Sequence, residues 1–171
     1  MRDSDEVAFG DFMAARWTAL FRTAYLITGD RHEAEDLLQT SLAKTFVSWR
    51  RVRDKGAADA YVRRVMVNTA ASRWRSGRHE QATDVLPDAG HDGGVESATT
   101  QVVLWQRISE LPPRMRATLV LRYYEDLTEA ETAREMGCSV GAVKSQTHHA
   151  LKRLRSSLGD EMLAGISQGA R

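Results

Sequence analysis

Residues 127–155, LTEAETAREMGCSVGAVKSQTHHALKRLR, read as two helices joined by a tight turn. Thr128 and Glu131 have the T-x-x-E spacing of a capping box, and Leu127 supplies the apolar residue that precedes such a cap. Ala133 and Met136 face inward. Gly137 ends the first helix, where the chain must enter the left-handed region without a Cβ penalty, and Ser139 restarts it as an N-cap. The second helix carries a stripe at Val140, Val143, Thr147, Ala150, Leu151 and Leu154, which leaves Lys144, Ser145, Gln146, His148, His149, Lys152 and Arg153 outside. No acidic residue interrupts Met136 to Gly159. A face meant only for solubility mixes its signs, so a helix-turn-helix with its second helix in a DNA major groove fits better than a plain helical hairpin.

The rest of the chain is helical by periodicity. Phe9, Phe12, Met13, Leu20, Phe21, Ala24 and Ile27 share one helical face, which Thr28-Gly29-Asp30 breaks. Asp30 is placed to cap a second helix with Glu33 at its third position, followed by Ala34, Leu37, Leu38, Ser41, Leu42, Thr45, Phe46 and Trp49. A polar loop over 52–59 leads to a third helix from about Ala60 to Arg75 with a seam at Tyr61, Val62, Val65, Met66, Thr69 and Ala70. Residues 77–97, rich in Gly, Asp and Ala, lose periodicity and read as a flexible linker. A second helical block follows, with Pro113 tolerated in a first turn and a helix continuing through Tyr123 and Tyr124 to Asp126. The expected fold is all-α: two small helical domains joined by a flexible linker, the second ending in the helix-turn-helix.

Net charge is only +1, but its distribution is uneven. Arg63, Arg64, Arg73, Arg75 and Arg78 meet no acid between Tyr61 and His79, and the last helix is a second basic surface. Asp84, Asp88, Asp92 and Glu96 lie between, so two contacts with a polyanion are expected. Cys138 is the only cysteine, which excludes an intrachain disulfide and a cysteine-built zinc site. His32–Asp36 begins like the zinc motif H-E-x-x-H, but Asp36 stands where the second histidine belongs, so no metal and no cofactor are expected. The acidic N-terminus lacks a signal peptide's cationic start, and no run reaches a membrane span, so a cytoplasmic protein that does not insert in membranes is expected.

In this order the segments resemble bacterial RNA polymerase sigma factors of the extracytoplasmic-function type, in the sigma-70 family, over about residues 9–158. GDRHEAEDLLQTSLAKTF is similar to the helix that grips the polymerase coiled coil, and AYVRRVMVNTAASRWR to the promoter-melting, −10-reading helix. ELPPRMRATLVLRYYEDLTEAETAREMG is similar to the start of the fourth domain, and SVGAVKSQTHHALKRLR to its −35-reading helix. The resemblance implies a region 2 domain at 8–76, a linker at 77–97, a region 4 domain at 98–158 and a tail at 159–171. It implies no catalysis by the chain itself. The implied partners are core RNA polymerase and promoter DNA, duplex and melted, with an anti-sigma protein as a further candidate.

Site residues follow where the motifs match. Asp36 and Gln39 match the family's D-x-x-Q pair, and with Leu37 and Thr40 they form the expected polymerase contact. Asn68 matches the −10 asparagine, whose amide donates and accepts together and so discriminates base edges; Tyr61 and Trp74 offer aromatic faces, and Arg64, Arg73 and Arg75 serve the strand. The loop over 52–59 corresponds to the one that captures a flipped base. On the last helix, Lys144, Lys152 and Arg153 suit phosphates, while Ser145, Gln146 and His149 are placed for base edges, flanked by Ser139, Ala142 and His148. Ala142 and Gln146 depart from the family's commoner threonine and arginine. The competing reading is a stand-alone helix-turn-helix regulator that binds operator DNA as a dimer. Such a regulator needs a dimer face, and the basic Asn68 helix and the D-x-x-Q helix would be without purpose in it.

Overall fold

The computed structural model describes residues 3–53, 57–76 and 95–158; most of the expected linker and the tail lie outside the described residues. Helix α1 (Asp3–Thr28) turns Phe9, Leu20, Ala24 and Ile27 inward and stops at Gly29, whose φ of 80° is the left-handed turn that glycine permits. Asp30 restarts the chain: its carboxylate accepts the Glu33 N–H at 2.8 Å and caps α2 (Arg31–Val47). Ser41 and Thr45, fully buried on α2, satisfy their hydroxyls by donating to the carbonyls of Leu37 and Ser41, both at 2.7 Å.

Helix α2 ends at Val47 and does not continue through Trp49 as its periodicity suggests. A separate short helix, α3 (Trp49–Arg53), occupies the beginning of the expected loop, and α4 (Ala58–Arg75) starts two residues early. The reason is apolar: Trp49 and Val52 are buried, and the Trp49 ring meets Phe9 edge-on at 5.0 Å. Helix α4 buries Val62, Met66, Val67, Thr69 and Ala70 and packs on α2, α7 and α1.

The second block contains α5 (Val95–Ser109), α6 (Pro113–Leu119), α7 (Glu129–Met136) and α8 (Val140–Leu158). Pro113 opens α6 as expected. The helix does not continue regularly to Asp126. It widens into a π-helical turn over Val120–Tyr124, after which Asp126 takes a φ of 54°. The capping box forms, with Thr128 and Glu131 each bonding the other's backbone, and Gly137 sits at a φ of 62°.

The two blocks are packed together. A single apolar cluster runs from Leu20, Tyr25, Ile27 and Met66 of the first block into Trp105, Ala117, Val120, Leu121 and Met136 of the second, and Trp105 stacks on Tyr25 at 5.8 Å. A smaller cluster of Leu111, Leu119, Ala150 and Leu154 holds α8 in place. At the seam, Arg116 is only 3% exposed. It donates to the carbonyls of Ile27 at 2.9 Å, Thr28 at 3.2 Å and Ser109 at 2.9 Å. Those first two are acceptors left over at the negative end of α1, which explains why a cation is stable there. Burial still pushes its pKa down to about 10.

Candidate nucleic-acid interface

The expected docking residues lie on α2 but do not share one surface. Asp36 and Gln39 are exposed, Thr40 is half-buried and Leu37 is fully buried. The expectation for Leu37 is therefore corrected: it is on the inward side of the helix, and its part is to hold α2 in the core. Gln39 borders an apolar groove of about 470 Å³ between α1 and α2, walled by Met13, Trp17, Leu42 and Phe46. Trp17, 39% exposed, escaped sequence reasoning because it falls off the periodic face of α1.

Around α4 the expected strand contacts divide between two hollows. Asn68, exposed, lines a hollow of about 560 Å³ with Lys44, Thr69, Ser72, Arg73 and Ser76. Lys44 was not expected there; it reaches across from α2 and donates to the Thr69 hydroxyl at 3.0 Å. Arg73 is paired at 2.6 Å with Asp36, so a candidate DNA contact and a candidate polymerase contact hold each other. Such a part-exposed pair is worth about 0–1 kcal/mol and is easily exchanged for another partner.

Tyr61 and Arg64 face the other hollow, about 530 Å³, opposite Leu127, Glu131 and Arg134 of the second block. The Tyr61 hydroxyl donates to Ser48 at 3.0 Å, so its ring is partly fixed by the end of α2. Trp74 is half-buried against the main cluster, and Arg75 is exposed.

Arg63, counted in the sequence only as part of a basic run, is 12% exposed and donates to Glu135 at 3.1 Å and Glu125 at 3.3 Å. Burial works against the Arg63 charge, but Glu135 and Glu125 hold its pKa above the ordinary value. For Glu135 burial is the larger effect and pushes the carboxyl up, against the pull of Arg63.

On α8 the outer face is open. Ser139, Lys144, Ser145, His148, His149, Lys152 and Arg153 are exposed, and Ala142 is half-exposed. Ser139 caps the helix by accepting the Ala142 N–H at 3.1 Å. Lys144 lies 3.7 Å from Glu129 of α7. Gln146 departs from expectation: it is half-buried, and its amide oxygen is enclosed without a hydrogen-bond partner among the described residues. The inward face is centred on Val143, Ala150 and Leu154 and spreads to Gln146, while Val140 is 39% exposed. The true face is thus rotated slightly from the one that the apolar stripe indicated.

The family described as Sigma-70 region 2 matches residues 16–80, and that described as Sigma-70, region 4 matches residues 101–154. An RNA polymerase sigma-E factor of Streptomyces avermitilis is 40% identical over 92% of this chain and 89% of its own. The ECF RNA polymerase sigma factor SigW of Bacillus subtilis is 24% identical over 94% of each chain. In fold, the chain resembles the sigma factor RpoE of Bartonella quintana, crystallised with the anti-sigma factor NepR, with a TM-score of 0.72 over 90% of this chain and 98% of that one at 20% identity.

Proposed function

Because the chain belongs to the sigma-70 family, as a sigma factor of the extracytoplasmic-function type that binds core RNA polymerase and directs it to promoters, we propose a division of labour among its helices. Helix α2 docks on core polymerase through Asp36 and Gln39, with the apolar groove beside Gln39 receiving side chains of the polymerase coiled coil. Helix α4 takes the −10 strand, with Asn68 reading a base and Arg64, Arg73 and Arg75 holding the backbone. Helix α8 enters the −35 major groove, where Lys144, Lys152 and Arg153 meet phosphates and Ser145 and His149 meet base edges.

The single observation that carries this reading is the exposed, acid-free outer face of α8, in a chain whose first block carries the docking pair and Asn68 on two adjacent helices. Strand opening costs a few kcal/mol of unstacking, which trapped bases offset. The hollow at Asn68, about 560 Å³, has room for a base and carries Lys44 and Arg73 at its wall. No catalytic task is assigned to the chain. No helix among the described residues is long and apolar enough to cross a membrane, and we place the protein with its polymerase in the cytoplasm. An anti-sigma protein belongs among its partners in this reading, as in the neighbour's crystal.

Gel filtration with core polymerase tests the docking. The wild type co-elutes with core, and Asp36→Lys combined with Gln39→Ala shifts it to the free fraction while its helical circular dichroism is unchanged. Unaltered co-elution of a fully helical double variant would move the docking surface elsewhere.

A further inference from the structure

The outer face of α8 carries two side chains whose charge is not fixed. His148 and His149 are both exposed, and their rings meet edge to face with centroids 5.6 Å apart. Among the described residues neither ring has a hydrogen-bond or ion-pair partner. Lys144 and Lys152 stand one helical turn before and after His148, and Arg153 stands one turn after His149. The elements packed against α8 are α5, α6 and α7. Their carboxylates are committed elsewhere: Glu129 lies 3.7 Å from Lys144, Glu131 closes the cap on Thr128, and Glu135 holds Arg63. Arg107 of α5 is paired with Glu110, and Arg116 of α6 is buried at the seam. Arg114 and Arg134, both exposed, add positive charge alone.

Imidazole is the side chain whose charge ordinarily changes between about pH 5 and 8, and a neighbouring phosphate favours its charged form. We propose that His148 is a proton-dependent phosphate contact: it takes up a proton as α8 enters duplex DNA and completes a row of three cations, Lys144, His148 and Lys152, along one side of the helix. The proposal rests on reading α8 as the duplex-binding helix. His149 has a different part. Its ring meets that of His148 at 5.6 Å, where a second positive charge is disfavoured by the first, so a single proton is taken up and His149 stays neutral to face the bases. The sign follows from linkage. A ring that holds its proton more tightly in the complex makes DNA binding tighter as pH falls, and the gain is lost as pH rises.

The full chain is titrated by anisotropy with a rhodamine-labelled mixed-sequence duplex at several salt concentrations, at about pH 6 and about pH 8, on either side of the ordinary histidine range. Wild type should bind about fivefold or more tightly at the lower pH, the lower end of common coupling factors. Its slope of log affinity against log salt should be steeper there by about 0.9, for the one added phosphate contact. Calorimetry in two buffers of different ionisation heat should record proton uptake on binding. His148→Gln should abolish both the pH dependence and the uptake, whatever affinity remains, and His148→Arg should keep the steeper slope at both pH values. His149→Gln should still show the pH dependence. Wild type that binds equally at both pH values, or a His148→Gln variant as pH-dependent as wild type, overturns the proposal. Lys152→Ala keeps the two readings apart. If it weakens duplex binding while the pH effect is missing, the proton-dependent contact falls alone; if it leaves duplex binding unchanged, the reading of α8 falls and the contact with it.

Discussion

Lys152 and Gln146 are on one helix but in different media, and their substitutions should separate cleanly. Lys152 is exposed on a face with no acid nearby in sequence. Lys152→Ala should weaken binding at every −35 sequence and reduce the slope of log affinity against log salt by about 0.9, the value for one phosphate contact. Binding titrations at several salt concentrations measure this. Gln146 has its amide oxygen enclosed without a partner, and an unsatisfied buried acceptor costs about 1–3 kcal/mol. Gln146→Leu should therefore hold or raise Tm and leave base preference as it was. A changed preference across a panel of −35 variants would put the amide in the groove after all. Leu37 and Gln39 carry a similar lesson: a motif names a stretch of helix, while only the three-dimensional packing decides which of its residues face a partner.

Among the elements, α7 is the one whose ends are most fully determined by local chemistry. The Thr128 N–H and hydroxyl both donate to Glu131, at 2.8 Å and 2.7 Å, and these bonds hold the Glu131 pKa below its ordinary 4.5. A carboxylate with a lowered folded pKa contributes stability that is present above 4.5 and is lost as pH falls through the folded value. Thr128→Ala should lower stability by about 1 kcal/mol. The Tm gap between wild type and Glu131→Ala, clear at neutral pH, should close as the solution is acidified below 4.5. A gap that does not depend on pH would mean that Glu131 acts through packing alone. Caps at Asp30, Thr128 and Gly137 were legible in the sequence because each depends on three or four neighbouring residues. Helix α3 and the π turn at Val120–Tyr124 were not, because each is fixed by contacts from elsewhere: Trp49 packs on Phe9, and the Arg122 guanidinium reaches the Leu127 carbonyl beyond the turn. The site was readable to the same degree. Motif spacing located α2, α4 and α8, but Lys44, Trp17 and the occupied state of Arg63 depend on how those helices meet.

For the molecule as a whole, the sequence pointed to two blocks and a tether but gave no sign of the seam between them, since Trp105 and Arg116 bury themselves against residues far away in the chain. We expect limited proteolysis to cut first within residues 77–97, where composition loses its helical pattern. The two fragments should then elute together on gel filtration, held by the shared apolar cluster. Immediate separation of the nicked halves would mean that the seam is weak, and early cuts inside α2 would contradict the proposed boundary. Arg116 also sets an order of events. The carbonyl of Ile27 waits for a donor 89 residues later. At ribosomal speeds of about 5–20 residues per second, roughly 4–18 s pass between their syntheses. During that interval the end of α1 relies on water, and Arg63 is made before Glu125 and Glu135 exist to pair with it. The seam is therefore the last part of the molecule to close, and a chain stopped short of Arg116 leaves the carbonyls of Ile27 and Thr28 to solvent.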